Sequence, residues 1–151
     1  MPDTMTPEER SERMSRVRHK DSKPEMRVRG LVHRMGFRYR LHDKKLPGRP
    51  DLVLPRHKKV ILIHGCYWHQ HGACRPLAIP ANNSEFWRRK FAENVDRDKR
   101  NVRDLTGRGW RVLVVWECET KDAEALERIL RGFLCDSDNG SLHSSGEIHC
   151  R

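Results

Sequence analysis

Two short apolar runs, VILIH at residues 60–64 and WRVLVVWE at residues 110–117, stand on either side of a long helical pattern. Runs of this length, bounded by polar or turn residues, read as strands. Upstream, DLVL flanks the same PRHKK segment as VILIH, which predicts a hairpin. FRYRL alternates Phe37, Tyr39 and Leu41 in the manner of a half-buried strand, and LPGRP after it reads as a turn. The resulting order of helix, strands, long helix, strand and helix indicates an α/β fold, a mixed central β-sheet flanked by helices.

The helices announce themselves by caps and spacing. Thr6, Pro7 and Glu9 supply an N-cap, a first-turn proline and a capping-box acid, but the stretch to Arg18 offers only Met14 and Val17 for burial. That helix suits an arm lying on a partner, with Arg10, Met14 and Arg18 on one face. Ser22 and Glu25 repeat the capping-box spacing ahead of Val28, Leu31, Val32 and Met35, and Gly36 ends this core helix. The long helix runs from Ser84 to about Leu105 with Phe91, Val95, Val102 and Leu105 inward, closed by GRG. Leu126, Ile129, Leu130 and Phe133 form a final amphipathic helix.

At 151 residues the chain is expected to be one domain over residues 1–135, with residues 1–20 as the arm and a polar, aperiodic tail at 136–151 expected to be disordered. A charged N-terminus and the lack of a long apolar run point to a soluble cytoplasmic protein with no membrane partner. The balance of 31 Lys+Arg against 21 Asp+Glu, net +10, favours a polyanionic partner such as nucleic acid. Five cysteines without a secretory signal favour metal binding over a disulfide framework.

The segment HGCYWHQHGAC, residues 64–74, concentrates the chemistry. Cys66 and Cys74 frame His69 and His71, and Cys118 ends the strand VVWEC, so three loop ligands and one distant ligand can close a tetrahedral zinc site. Either His69 or His71 suits the imidazole position, and spacing does not decide between them. Histidines left over beside such a site, His64 among them, are candidates for acid–base chemistry. Asp51 at the head of its strand faces the next strand as a Mg²⁺-holding carboxylate would in a nuclease, although turn and cap roles are common for aspartate after proline.

The segments LPGRPD, HGCYWHQH, EFWRRKFAENVDRDKR and GWRVLVVWEC, in this order between about Met14 and Cys118, resemble the very-short-patch repair mismatch endonucleases, a branch of the PD-(D/E)xK restriction-endonuclease-like fold. The resemblance implies a Mg²⁺-dependent enzyme that nicks one strand of double-stranded DNA 5′ to the T of a T:G mismatch, the lesion left by deaminated 5-methylcytosine. It implies a functional link to a cytosine-5 DNA methyltransferase, with other repair proteins as further partners, and a monomer acting at the bacterial nucleoid. Two rival classes are a zinc-containing DNA-binding module without catalysis and a restriction-type nuclease on matched duplex.

Carried over to this chain, the resemblance implies that Asp51 holds Mg²⁺, that His69 is the general base, that His64 stabilises charge developing on the phosphate, and that Glu25 lies near the metal-bound waters. The family carries threonine where Ile63 stands here, so the Ile63 backbone carbonyl is the expected Mg²⁺ ligand. A structural Zn²⁺ falls to Cys66, His71, Cys74 and Cys118. Tyr67, Trp68 and Trp87 match intercalating aromatics and Met14 a minor-groove wedge. Lys90 and Asn94, on a face set opposite the apolar stripe with Arg97, are assigned to base and phosphate recognition.

Overall fold

The computed structural model describes residues 6–15, 22–66, 69, 71, 79 and 81–135. Helix α1 (Pro7–Ser15) begins with the expected reciprocal cap: the Glu9 N–H donates to Thr6 Oγ1 over 3.2 Å and the Thr6 N–H to Glu9 Oε2 over 2.8 Å. Helix α2 (Lys23–Arg34) buries Val28 and Val32, and it ends at Gly36, whose φ of +89° is open to glycine at little cost. The turn that follows differs from the alternating strand expected over FRYRL. The Phe37 N–H donates to the Val32 carbonyl over 3.2 Å, so Phe37 is buried as part of the helix exit. Strand β1 shrinks to Arg40–Leu41, an exposed sheet edge.

Strand β2 (Leu52–Leu54) and strand β3 (Lys59–His64) form the predicted antiparallel hairpin, turned by a 3₁₀ segment at Pro55–His57 and by Lys58 in the left-handed region. Helix α3 (Ser84–Gly107) then crosses over, which makes strand β4 (Arg111–Trp116) parallel to β3, with Lys59 opposite Arg111 and His64 opposite Trp116. The sheet order is β1-β2-β3-β4. Cys118 does not end β4: it sits in a 3₁₀ turn at Glu117–Thr120, closed by the Trp116 N–H donating to Glu119 Oε1 over 2.9 Å.

Because β2 and β3 are apolar at nearly every position, the sheet is covered on both faces. Leu52, Leu54, Ile61 and Val115 pack against α2 and helix α4 (Ala123–Leu134), where Leu126, Leu130 and Leu134 are buried. Val53, Val60 and Leu62 pack on the opposite face with Leu105 of α3. Period-two alternation therefore puts His64 on the α3 face, one step beyond Leu62. Asp122 caps α4 through bonds from the Glu124 and Ala125 N–H groups, and at the far end Lys59, 3% exposed, donates to the carbonyls of Phe133 and Leu134 over 2.9 and 3.2 Å. A cation on the last turn complements both the helix dipole and its unpaired carbonyls.

Candidate active site

Where β2 and β3 open toward α2 and α3, a cavity of about 350 Å³ is lined by His42, Gly48, Arg49, Asp51, Ile63, His64, His69, Arg97, Asp98 and Asn101 among others. The LPGRP turn forms one wall. Gly48, at φ +74°, lies so near α3 that a Cβ there would sit 2.8 Å from Asn101, so the turn meets the helix only with glycine.

Asp51 immediately precedes β2, and its carboxylate reaches across to β3, where the Ile63 N–H donates to Oδ2 over 2.8 Å. Burial pushes the Asp51 carboxyl up to about 6 from 3.8; the Ile63 bond opposes this, the charge of Glu25 reinforces it, and His42 opposes it. Glu25 makes no capping box with Ser22, whose side chain caps nothing. It is 2% exposed, and its Oε1 lies 2.8 Å from His42 Nε2 and 3.8 Å from an Arg29 nitrogen. The reason is positional: Glu25 falls three and seven residues before Val28 and Val32, on the buried stripe of α2. Glu25, His42 and Asp51 bring one ligand-type atom each within 4.8 Å of one another.

The opposite wall carries the histidines. His64, 8% exposed, stacks on His69 with ring centroids 4.0 Å apart and planes 6° from parallel. Burial, then the neighbouring His69, lowers its pKa to about 4 from 6.5, against the pull of Asp98 and with a further push from Arg97. His69 Nδ1 lies 2.6 Å from Asp98 Oδ2, a His–Asp pair that fixes the ring and turns its other nitrogen elsewhere. Sequence reasoning missed Asp98. Its signal was present: Phe91, Val95, Asp98, Val102 and Leu105 share one helical stripe, so a carboxylate there points into the protein.

The loop after β3 is folded by its own backbone, with the His69 N–H bonded to the Gly65 carbonyl and the His71 N–H to the Cys66 carbonyl. This turns His71 away from His69 and toward sulfur. His71 Nδ1 lies 3.7 Å from Cys66 Sγ and 3.5 Å from Cys118 Sγ, and the Cys118 N–H donates to Cys66 Sγ over 3.4 Å. Thiolate and imidazole on one tetrahedral zinc are about 3.5 Å apart, from bond lengths near 2.3 and 2.0 Å. Among the described residues these three suit zinc, with His71 rather than His69 as the nitrogen ligand. Trp116 joins the two regions, stacking on His71 at 4.2 Å and meeting the edge of His64 at 5.2 Å.

Of the remaining predicted residues, Cys74, Tyr67 and Trp68 lie outside the described residues, as does the side chain of Met14. Trp87 is half-buried, 5.9 Å from the Phe91 ring and 5.4 Å from the ring of Phe86, an exposed aromatic that sequence reasoning did not single out. Lys90 is exposed and Asn94 half-buried. Their row flanks the apolar stripe rather than opposing it, which is why Arg97 on the same row reaches the cavity wall. No helix among the described residues is long and apolar enough to cross a membrane.

A family model described as DNA mismatch endonuclease Vsr matches residues 2–75. The type II nicking enzyme V.XorIIP of Xanthomonas oryzae pv. oryzae is 46% identical over 134 residues, 89% of this chain and 98% of the relative. The type II nicking enzyme V.NmeAIP of Neisseria meningitidis is 42% identical over 135 residues, 87% of this chain and 96% of the relative. The DNA mismatch endonuclease Vsr of Escherichia coli is 38% identical over 145 residues, 93% of this chain and 92% of the relative. Identity at this level, carried across nearly the whole length of these relatives, means that the chain belongs to the DNA mismatch endonuclease Vsr family.

Proposed function

We propose that this protein nicks one strand of duplex DNA on the 5′ side of the T in a T:G mismatch, in short-patch repair of deaminated 5-methylcytosine. The observation that carries the reading is one cavity in which Asp51 stands across from the His69–Asp98 pair. A base, an oriented partner for it and a carboxylate are the parts that phosphodiester hydrolysis needs. The names of the relatives, a mismatch endonuclease and nicking enzymes, support the same chemistry.

Asp51 and Glu25 offer hard oxygen donors suited to Mg²⁺, and burial of two like charges side by side favours a cation between them. The Ile63 carbonyl fits the same set. In an extended strand it points to the side of the Ile63 N–H, which is the side of Asp51. When bound, Mg²⁺ supplies charge neutralisation at the phosphate. His69, with its Nδ1–H held by Asp98, takes the proton of the attacking water on Nε2 while the bond from phosphorus to the leaving sugar oxygen breaks. His64, neutral near pH 7, offers a ring N–H to the phosphate, and Arg49 and Arg97 place positive charge at the cavity wall.

Cys66, His71 and Cys118, with Cys74 as the fourth ligand, would hold a structural Zn²⁺ that fastens the His69 loop to the turn after β4. Tyr67, Trp68 and Trp87 would wedge beside the weakly stacked T:G pair, Met14 would enter the minor groove, and Lys90 and Asn94 would read neighbouring bases and phosphates. The test is a denaturing-gel nicking assay with Mg²⁺ on end-labelled duplexes that differ only in T:G versus C:G within a CC(A/T)GG-type site. A single cut 5′ to the mismatched T is expected. Equal cutting of both duplexes would replace mismatch repair with a restriction-type activity, and binding without cutting would leave a DNA-binding module.

A further inference from the structure

His42, on the cavity wall, sits between Asp51 and the buried Glu25, and three features tie it to them. Its backbone is in the left-handed region at φ +49°, a conformation uncommon outside glycine that histidine adopts more readily than most side chains. Its N–H donates to the Asp51 carbonyl over 3.2 Å, which fixes the residue to the start of β2. Its ring, 12% exposed, lies with Nε2 2.8 Å from Glu25 Oε1 and Nδ1 3.9 Å from Asp51 Oδ1.

We propose that His42 is a positioning residue of the active site: its ring, with Nε2 against Glu25 Oε1, holds the Glu25 carboxylate beside Asp51 so that both acids face one divalent cation. The proposal rests on the reading of Asp51 and Glu25 as the cation-holding pair. Glu25 comes from α2 and Asp51 from the start of β2, and like charges on separate elements repel when buried. A glutamate has three side-chain torsions with which to turn away. The close contact of the His42 ring, 2.8 Å from Nε2 to Oε1, limits that freedom, and the backbone bond to Asp51 references the ring to the second acid. The left-handed backbone is what lets one residue make both connections.

The two nitrogens can be tested apart, because a glutamine amide nitrogen reaches about where Nε2 lies and an asparagine amide nitrogen about where Nδ1 lies. Asparagine also tolerates the left-handed backbone, so His42→Asn is expected to fold. Mn²⁺ is titrated into wild type, His42→Asn, His42→Gln and Asp51→Asn, with loss of the free-ion electron paramagnetic resonance signal as the readout. Nicking kcat and KM with Mg²⁺ and melting temperatures are measured in parallel. Wild type is expected to show a site that Asp51→Asn loses. His42→Asn is expected to weaken it about 10- to 100-fold and to lower kcat by a similar factor at unchanged KM for DNA. His42→Gln is expected to restore most of that loss. Glu25→Gln gives a second route, and its loss should coincide with that of His42→Asn in the double variant rather than add to it.

Wild-type Mn²⁺ binding and nicking beside an unaffected His42→Asn would overturn the role of His42 alone, as would equal losses in the Asn and Gln variants or additive losses in the double variant. A wild type that neither binds Mn²⁺ nor nicks would overturn the cation-holding pair, and the role of His42 with it.

Discussion

The cavity has a carboxylate half, Asp51 and His42 with the buried Glu25 of α2 against the His42 ring, and a histidine half, His64 with His69 and Asp98 beside α3, and burial acts on the two in opposite directions. In both it disfavours charge: Asp51 is pushed up to about 6 and His64 down to about 4. The histidine half contains its own answer, because Asp98 is already paired with His69. The carboxylate half adds a second acid to the first. One half pairs its acid with a histidine, whereas the other sets two acids close to one another.

The largest effect should come from the half that sets two acids together. Asp51→Ala is expected to reduce nicking below detection while mismatch binding, measured by gel shift, stays near wild type; normal nicking would remove Asp51 from the metal assignment. Loss of the base should be smaller. His69→Ala is expected to slow nicking by about 10² to 10⁴, and Asp98→Asn by about 10- to 100-fold, since it disturbs only the orientation of the ring. Single-turnover rates would show whether the two follow that order, and an Asp98→Asn rate equal to wild type would deny the pair a catalytic role.

The same comparison predicts two opposed pH dependences of stability in metal-free protein. Asp51 has a raised folded pKa, so its contribution is present below 3.8 and is lost as pH rises through 6. His64 has a lowered folded pKa, so its contribution is present above 6.5 and is lost as pH falls through 4. The slopes offset each other in the wild type. Melting scans in chelator should show Asp51→Asn gaining stability as pH rises from 4 to 6.5 and His64→Gln losing it; parallel curves would contradict the opposed burial of the two groups. The smallest effect on the cavity itself should follow from the sulfur cluster beyond it. Elemental analysis is expected to find about one zinc per chain, and Cys118→Ser to lower the melting temperature and the zinc content together before it alters the chemistry.

Much of this architecture was legible because its signals are local. The hairpin, α3 and α4 follow from apolar runs and helical spacing that tertiary contacts merely confirm. FRYRL misled because burial of Phe37 comes from the helix exit, which mimics the alternation of a strand. Glu25 carried two readings, a capping-box partner for Ser22 and an acid of the site, and its place on the α2 stripe sends it inward, away from the cap. Asp98 was readable and was passed over within a charged helix. His42 was not readable: its left-handed backbone and its distance to Glu25 arise only when β1, β2 and α2 converge. That His71 and not His69 lies beside the sulfurs of Cys66 and Cys118 likewise follows from the loop's backbone bonds, because both histidines stand between the same two cysteines in sequence.

Lys59 holds a different lesson, about time. The first residue of β3 finds its carbonyl partners 74 and 75 residues further along, and its strand partner Arg111 only after all of α3 has been made. Contacts this distant close slowly and late. On a ribosome, which releases the chain from its N-terminal end, the strand bearing His64 meets β2 early but gains its β4 neighbour and its α4 anchor only after α3 has emerged. The surroundings of His64 are thereby completed late, by residues that lie far along the chain from it.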